Sequence, residues 1–261
     1  MTGQGPRNGD HLETLSRGLA LLAYFGAGHA ELGIQEAADH LSISRGAARR
    51  FLITLADLGY LTRQGRSFRI NANVLDLGYR YFASMDLPDI AQPILDELAE
   101  RTGEFCGLYI LNGSDIVVIG SGAGGQSMTF RPHRGTTYPA YATAAGRVIM
   151  AEMADAQLDA LLATVKLESL TPYTVRTVPA LRKAIMQVRE DGYCVVANEL
   201  AYGMAGVALP IRNAQGRCIA SVNISLQRGG TPDDMVHVCL PALGEAVGQI
   251  NAILEKLGYR T

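Results

Sequence analysis

The sequence predicts an α+β protein with two domains, a small and mainly helical one at the N-terminus and a larger one that mixes strands and helices. Two observations support this prediction. A chain of 261 residues is too long for one ordinary small domain and comfortable for two. Apolar residues recur at helical spacing through most of the first 83 residues, whereas strand-like segments separated by helical ones follow residue 88.

The composition excludes several classes of protein. Hydrophobic residues make up 48% of the chain and charged residues 18%, as in a globular protein with a sizeable core. No apolar run approaches the roughly 18 residues of a membrane helix, and the N-terminus lacks a signal-peptide pattern, so we expect a cytoplasmic protein with no membrane partner. The four cysteines lie in mostly apolar segments without a CxxC pair, which predicts reduced thiols and neither a metal site nor a cofactor.

The net charge of −2 hides an asymmetry along the chain. Residues 1–83 carry nine arginines and seven acidic residues, a balance of +2, whereas the remainder carries 14 basic and 18 acidic residues, a balance of −4. Within residues 41–70, six arginines are accompanied by a single acidic residue, Asp57. Such a concentration of positive charge indicates a partner with a phosphate backbone.

The first two helices are predicted from their apolar spacing. One stripe has spacings of three and four residues, which predicts a helix that turns this stripe toward the core; its members are Leu12, Leu15, Leu19, Leu22 and Phe25. Gly26 and Gly28 follow the stripe and end the helix. A second, short helix is predicted from Ile34 to about Leu41.

A third helix and a hairpin complete this domain. Ser44 is suited to cap a helix over residues 45–57, whose Ala48, Leu52 and Leu55 point inward. Alternating residues on either side of a turn at residues 64–66 predict a β-hairpin. Three helices followed by a hairpin form a winged helix-turn-helix, in which the third helix enters the major groove of DNA and the hairpin approaches the backbone.

The arginines supply the predicted DNA contacts. Arg45 and Arg49 lie one helical turn apart and can reach base edges, since a guanidinium can bind guanine with two hydrogen bonds. The alternative is an ordinary solvated face, but six arginines in this geometry with one acid favour DNA. The predicted DNA-contacting residues are Ser44, Arg45, Ala47, Arg49, Arg50, Arg63 and Arg66.

Several segments of this domain resemble a known family. They are LSRGL at residues 15–19, QEAA at 35–38, AARRFL at 47–52 and LGYL at 58–61, and together they resemble the DNA-binding domain of the IclR family. The resemblance implies a transcriptional regulator that binds double-stranded operator DNA as a homodimer or homotetramer. It also implies a small organic acid as effector, with repression favoured over activation.

The domain boundaries follow from the helical pattern and from the same family resemblance. An apolar stripe over residues 74–82 stops before Pro88 and resembles the family's linker helix. We therefore expect a winged helix-turn-helix over residues 11–71, a linker helix over 72–87 and an effector-binding domain over 88–261. Strand segments at residues 105–111, 115–119, 128–131, 193–197, 204–212 and 218–226, with helices between them, predict a mostly antiparallel sheet covered by helices, which agrees with the family's GAF-like fold.

The segment at residues 135–147 predicts a ligand site, because a loop there feeds a helix whose first residues are small. Ala144, Ala145 and Gly146 let a carboxylate approach the free N–H groups of the first turn. This segment resembles the family's effector loop, while the alternative is an ordinary helix capped by Thr143.

Further residues could complete the pocket. Alternation places Ser221, Asn223 and Ser225 on one strand face, and the family's ligand-binding hydroxyls correspond to the last two; the alternative is a solvated face. The predicted effector-binding residues are Met128, Phe130, Tyr138, Thr143, Ala144, Ala145, Gly146, Glu199, Asn223 and Ser225. Compared with relatives that bind glyoxylate, residues 197–206 predict a roomier, less polar cavity and a larger ligand. Resemblance at residues 75–79, 139–143 and 170–175 to regulators of protocatechuate, hydroxybenzoate and β-ketoadipate pathways implies an aromatic carboxylate such as a hydroxybenzoate.

Three other hypotheses compete with this one. Residues 120–125 contain the pattern GxGxxG, which we interpret as a mobile hairpin loop because a strand pattern follows it where a dinucleotide site requires a helix. An enzyme could use Cys106 or Cys194 as nucleophile with His133 as base, although no orienting carboxylate is evident. A DNA-architectural protein without effector is disfavoured by the length of the second domain.

Overall fold

The computed structural model describes residues 12–25, 30–75, 86–123, 132–226 and 232–260. The chain divides into two compact units, residues 1–83 and 84–261. None of the helices in the described ranges combines the length and hydropathy needed to span a bilayer. The interior of the expected linker helix, residues 76–85, lies outside the described residues, as do Met128, Phe130 and the strand expected around them.

The N-terminal unit is a winged helix-turn-helix. Its helices are α1 (Glu13–Phe25), α2 (Ile34–Leu41) and α3 (Arg45–Asp57), and its strands are β1 (Glu31–Gly33), β2 (Leu61–Gln64) and β3 (Ser67–Ile70), which form a sheet in the order β1-β3-β2. Ser44 caps α3, since its Oγ accepts a hydrogen bond from the N–H of Ala47 at 3.3 Å. Ala48, Leu52 and Leu55 are buried as the sequence predicts.

The prediction for α1 holds only at its C-terminal end, where Phe25 is buried and Leu22 packs against the core. Leu12, Leu15 and Leu19 are 70%, 60% and 55% exposed, whereas Leu21 and Phe25 are buried in the core of the unit. The helix carries two adjacent apolar rows, and the row through Leu21 and Phe25 faces this core. The other row therefore remains exposed along most of its length.

The C-terminal unit is an antiparallel six-stranded sheet with helices on its faces. The strands are β4 (Phe105–Asn112), β5 (Asp115–Ala123), β6 (Thr137–Pro139), β7 (Cys194–Ala197), β8 (Ala205–Arg212) and β9 (Cys218–Leu226), in the order β6-β5-β4-β9-β8-β7. The longer helices are α4 (Asp86–Thr102), α5 (Ala144–Ala151), α6 (Asp155–Thr164), α7 (Val178–Asp191) and α8 (Leu240–Lys256). A large buried cluster joins one face of the sheet to α5, α6 and α7, while α4 and α8 pack elsewhere on the sheet and on each other. The α+β class is confirmed.

Two local predictions in this unit are corrected. Gly120–Ala123 belong to β5 rather than to a hairpin loop, whereas Gly124 and Gly125 lie outside the described residues. A side chain at Gly122 would collide with the backbone of Leu95, so glycine here allows α4 to pack closely on the strand. The sequence predicts a single last helix from about Pro232 to Leu257, but this segment is divided into Pro232–Asp234, a π-helical turn at Met235–Cys239 and α8, whose first turn contains Pro241.

Candidate functional site

The outer surface of α3 and the tip of the β2–β3 hairpin carry the predicted DNA-contacting arginines. Arg45, Arg49 and Arg50 are exposed on α3, and Arg63 and Arg66 are exposed on the hairpin. None of these five forms an ion pair with a described residue, so their charges are available to phosphate and base acceptors. The Nε of Arg63 donates to the carbonyl of Gly65, which orients this side chain within the turn.

Small residues at the start of α3 leave room for a binding partner to approach the helix closely. A Cβ at Gly46 would meet no atom within 4 Å, and Ala47 is partly buried. The Oγ of Ser44 accepts a hydrogen bond from the N–H of Ala47, so the hydroxyl hydrogen of Ser44 can still donate a hydrogen bond to a phosphate. The seven predicted residues therefore lie at the start of α3 and on the β2–β3 hairpin.

A cavity of about 580 Å³ lies in the C-terminal unit. Among its walls are β9, the first turn of α5 and the segment between β7 and β8, and every lining residue that the structure describes is uncharged. Six of the predicted effector residues line it together: Tyr138, Thr143, Ala144, Ala145, Asn223 and Ser225. Most of the remaining wall is apolar, with Phe105, Ile116, Val196, Leu200 and Met204 among its members.

The start of α5 contributes backbone donors to this cavity. The Oγ1 of Thr143 accepts from the N–H of Gly146 at 3.1 Å and donates to the carbonyl of Ala140 at 3.2 Å, so this hydroxyl is fully used as the helix cap. Among the described residues, none accepts a hydrogen bond from the N–H of Ala144 or Ala145. Two backbone donors without a described acceptor therefore belong to residues that line the cavity, at the positive end of a helix.

Gly146 and Glu199 do not line the cavity. A side chain at Gly146 would collide with the backbone of Ala140, so glycine is needed there for close packing of the preceding turn. Glu199 forms an ion pair with the buried Arg147 at 2.5 Å and also accepts from the N–H of Val175. Its carboxylate is thus used inside the protein, next to the residues of the same segment that do line the cavity.

The polar face of β9 is buried. Ser221, Asn223 and Ser225 all lie on it, and the alternative of a solvated face is wrong. The Oγ of Ser221 donates to the carbonyl of Ala145 at 3.1 Å, and the Nδ2 of Asn223 donates to the Oγ of Ser225 at 2.8 Å. The Oδ1 of Asn223 has no hydrogen-bond partner among the described residues, although Asn223 is only 7% exposed. This buried acceptor at the cavity wall can accept a hydrogen bond from a group inside the cavity.

The comparisons with protein families cover both units. The family described as IclR helix-turn-helix domain matches residues 14–65, and that described as Bacterial transcriptional regulator IclR C-terminal matches residues 79–252. The chain belongs to the IclR family. It is therefore a DNA-binding transcriptional regulator with an effector domain, and not an enzyme.

Two curated relatives of this IclR-family regulator match nearly its whole length. The Pca regulon regulatory protein of Pseudomonas putida is 35% identical over 236 residues, which cover 90% of this chain and 81% of the relative. The p-hydroxybenzoate hydroxylase transcriptional activator of Acinetobacter baylyi is 30% identical over 255 residues, which cover 95% and 94%. The predicted aromatic-acid subgroup of the family is confirmed by these relatives.

Solved structures of transcriptional regulators share the fold. A transcriptional regulator from Rhodococcus sp. RHA1 has a TM-score of 0.81 and 36% identity, covering 95% of this chain and all of that one. The inducer-binding domain of an Acinetobacter PobR double mutant, in complex with 3-hydroxybenzoic acid, has a TM-score of 0.59 and 26% identity, covering 63% and 97%. An IclR homologue from Microbacterium hydrocarbonoxydans, in complex with 4-hydroxybenzoate, has a TM-score of 0.79 and 19% identity, covering 94% and 100%.

Cys106 and Cys194 are poorly suited to act as nucleophiles in this IclR protein. Burial raises the pKa of Cys106 and of Cys194 to about 12, so both are neutral thiols near pH 7. His133 lies exposed in a loop, where its backbone N–H donates to Thr136. The enzyme hypothesis that combined these residues is wrong.

Sequence reasoning missed Tyr109 as a cavity residue. The ring of Tyr109 lies across Gly107, where any side chain would collide with the ring. Burial raises the pKa of the Tyr109 hydroxyl, so this residue stays a neutral phenol. Burial also raises the pKa of Tyr138. The alternation of Gly107 and Tyr109 on one strand face was the available signal, since a glycine beside an aromatic residue lets the ring lie flat on the strand.

Proposed function

We propose that this regulator binds operator DNA through α3 and the hairpin, as a homodimer or homotetramer in the bacterial cytoplasm, and that an aromatic carboxylate in the cavity changes its affinity for the operator. A hydroxybenzoate is the proposed effector. One observation carries the proposal: the cavity combines apolar walls with two N–H groups at a helix start and a buried amide oxygen, none of which has a hydrogen-bond partner among the described residues.

The carboxylate is assigned to the first turn of α5. The N–H groups of Ala144 and Ala145 donate to no acceptor in the described part of the chain, and the helix dipole favours a negative charge at this end. Because no described lining residue is charged, no acidic side chain opposes an anion there. The hydroxyls of Tyr109 and Tyr138 are protonated and are further donors on the cavity wall.

The ring is assigned to the apolar walls. Phe105, Ile116, Val196 and Met204 offer dispersion contacts and exclude water, which favours an aromatic body over a two-carbon acid. Hydroxybenzoate occurs in the name of the 30% identical A. baylyi activator and in the PobR complex at 26% identity. Both associations support this class of effector. A purely architectural protein would have no use for such a cavity.

The experiment is a fluorescence anisotropy titration of labelled DNA from the region upstream of the gene. We expect binding that weakens as salt rises and whose midpoint shifts in the presence of 4-hydroxybenzoate or protocatechuate, but not glyoxylate. Absence of binding at every salt concentration would contradict the DNA assignment, and binding indifferent to all aromatic acids would contradict the effector assignment. In a reporter strain, increased expression after deletion of the gene identifies a repressor, which is the expected result, and decreased expression identifies an activator.

The exposed row of α1 is proposed as a contact between two copies of the chain. Leu12, Leu15 and Leu19 form an apolar surface on the unit that binds DNA, and two winged helices must be held together to contact two half-sites. We expect the double substitution of Leu15 and Leu19 by glutamate to halve the particle mass measured by light scattering. It should also weaken operator binding. Leu58→Glu, at a similarly exposed leucine outside the row, is the control and should leave the mass unchanged. Equal masses for the double variant and this control would contradict the assignment.

A further inference from the structure

We infer that residues 200–203, in the connection between β7 and β8, form a lid at the mouth of the cavity, and that Tyr202 closes over the aromatic ring of the bound ligand. This inference rests on the proposed function for the identity of the ligand. It adds the part of the protein that moves when the ligand enters and leaves.

Tyr202 belongs both to the cavity and to the protein surface. It lines the cavity, yet it is 79% exposed, the largest exposed fraction among the large hydrophobic residues that the structure describes. An aromatic side chain in this position keeps apolar surface in water that a ligand in the cavity can cover. Tyr202 therefore lies where the cavity opens to solvent.

The backbone around Tyr202 is held by few hydrogen bonds. Asn198 and Gly203 stand on either side of it with φ angles of 63° and 81°, a conformation that asparagine and glycine adopt at low cost. The Oδ1 of Asn198 accepts from the N–H of Gly203 at 2.8 Å. Between them, the N–H groups of Leu200, Ala201 and Tyr202 donate to no acceptor in the described part of the chain. Such a segment can move without disrupting the sheet.

The base of the lid is fixed, in contrast to its tip. The carboxylate of Glu199 is paired with the buried Arg147 at 2.5 Å, and Arg147 lies on α5, whose first turn is the proposed carboxylate site. The hydroxyls of Thr171 and Thr174 donate to the carbonyls of Asn198 and Glu199. Movement is therefore confined to residues 200–203, next to a frame that also carries the proposed carboxylate site.

Tyr173 marks the position of Tyr202 when the lid is open. The centroids of the two rings are 6.3 Å apart and the rings are tilted by 37°, near the long end of the range for aromatic pairs. Tyr173 is itself 58% exposed and does not line the cavity. When Tyr202 leaves this contact for the ring of a ligand, it exchanges one aromatic contact for another and buries more apolar surface. Closure is therefore favoured only when the ligand is present.

The first test places a fluorescent reporter on the lid. The chain contains no tryptophan, so Tyr202→Trp gives a single reporter at this position. Saturating 4-hydroxybenzoate is expected to lower the acrylamide quenching constant of this reporter roughly threefold, because a ligand site buries most of the surface in contact with the ligand. Tyr173→Trp is the matched control, and its quenching should stay nearly constant because position 173 lies outside the cavity. Calorimetry on both variants measures ligand binding separately.

The second test measures the release of ligand. Tyr202→Ala is expected to release radiolabelled 4-hydroxybenzoate about 3- to 10-fold faster than the wild type after rapid dilution, since it removes one aromatic contact with the ring. Tyr202→Phe keeps the ring and should release the ligand at the wild-type rate. Tyr173→Ala, at the exposed tyrosine outside the cavity, should do the same.

The outcomes separate the lid from the proposed function. Heat of binding with unchanged quenching at position 202 would overturn the lid and leave the aromatic carboxylate effector standing. An equal fall in quenching at positions 202 and 173 would also overturn it, because the whole face and not residues 200–203 would then change. Release from Tyr202→Ala at the wild-type rate would contradict the role of Tyr202. Absence of heat with every aromatic acid would overturn both proposals.

Discussion

Arg147→Met is expected to lower the free energy of unfolding by about 3 to 5 kcal/mol, because it leaves the carboxylate of Glu199 buried without its cation. The two side chains are among the least exposed charged groups described, and the Nε of Arg147 also donates to the carbonyl of Tyr141. Urea unfolding followed by circular dichroism measures the change. The double substitution Arg147→Met with Glu199→Leu should recover part of the loss, since it removes both charges.

The matched control for this prediction is Arg182→Met. Arg182 pairs with Asp159, but these side chains are 40% and 57% exposed, so solvent screens the pair and its loss is expected to cost less than about 1 kcal/mol. Similar losses in the two methionine variants would show that burial of the Arg147–Glu199 pair has no special effect.

The Arg147–Glu199 ion pair joins two elements that line the cavity. Arg147 lies on α5, whose first turn lines the cavity, and Glu199 immediately precedes Leu200, which lines another part of it. The same segment is fixed by Thr171 and Thr174, whose hydroxyls donate to the carbonyls of Asn198 and Glu199. Glu199 is therefore a residue that positions the cavity wall.

Local signals made the winged helix predictable. A serine cap, inward alanine and leucine residues and an alternating hairpin are each determined within a few residues, and each is observed. The orientation of α1 was not predictable in this way. Two neighbouring rows of apolar residues satisfy the same helical spacing, and only tertiary packing decides that Leu21 and Phe25 face the core.

Some features of the cavity could likewise be predicted from single segments of the sequence, whereas others depend on contacts between distant residues. The helix start at Ala144 and the polar alternation around Asn223 could be found from their own segments. The partner of Glu199 could not, since Arg147 precedes it by 52 positions and only the fold brings the two together. Glycine was misleading at residues 120–123, because it predicts a turn but here it serves the close packing of α4 on β5.

Arg49→Ala is expected to weaken operator binding by about 1 to 3 kcal/mol, because Arg49 is exposed on α3 and forms no ion pair with another described residue. The loss should be largest on the specific operator and small on unrelated DNA, since a contact to a base edge contributes to discrimination. Anisotropy titrations on both DNAs measure the two losses.

Arg66→Ala provides the contrast within the same unit. Arg66 is exposed at the tip of the hairpin and is assigned to the phosphate backbone, so its loss should weaken binding to both DNAs alike and reduce the dependence on salt. Arg182→Ala, in the other compact unit, should leave DNA binding unchanged. Equal binding of Arg49→Ala and wild type to the operator would refute the role of Arg49. If Arg49→Ala weakens binding to both DNAs equally, Arg49 contacts the phosphate backbone of DNA and not a base edge. The positive charge of residues 41–70 acts on that backbone independently of the DNA sequence.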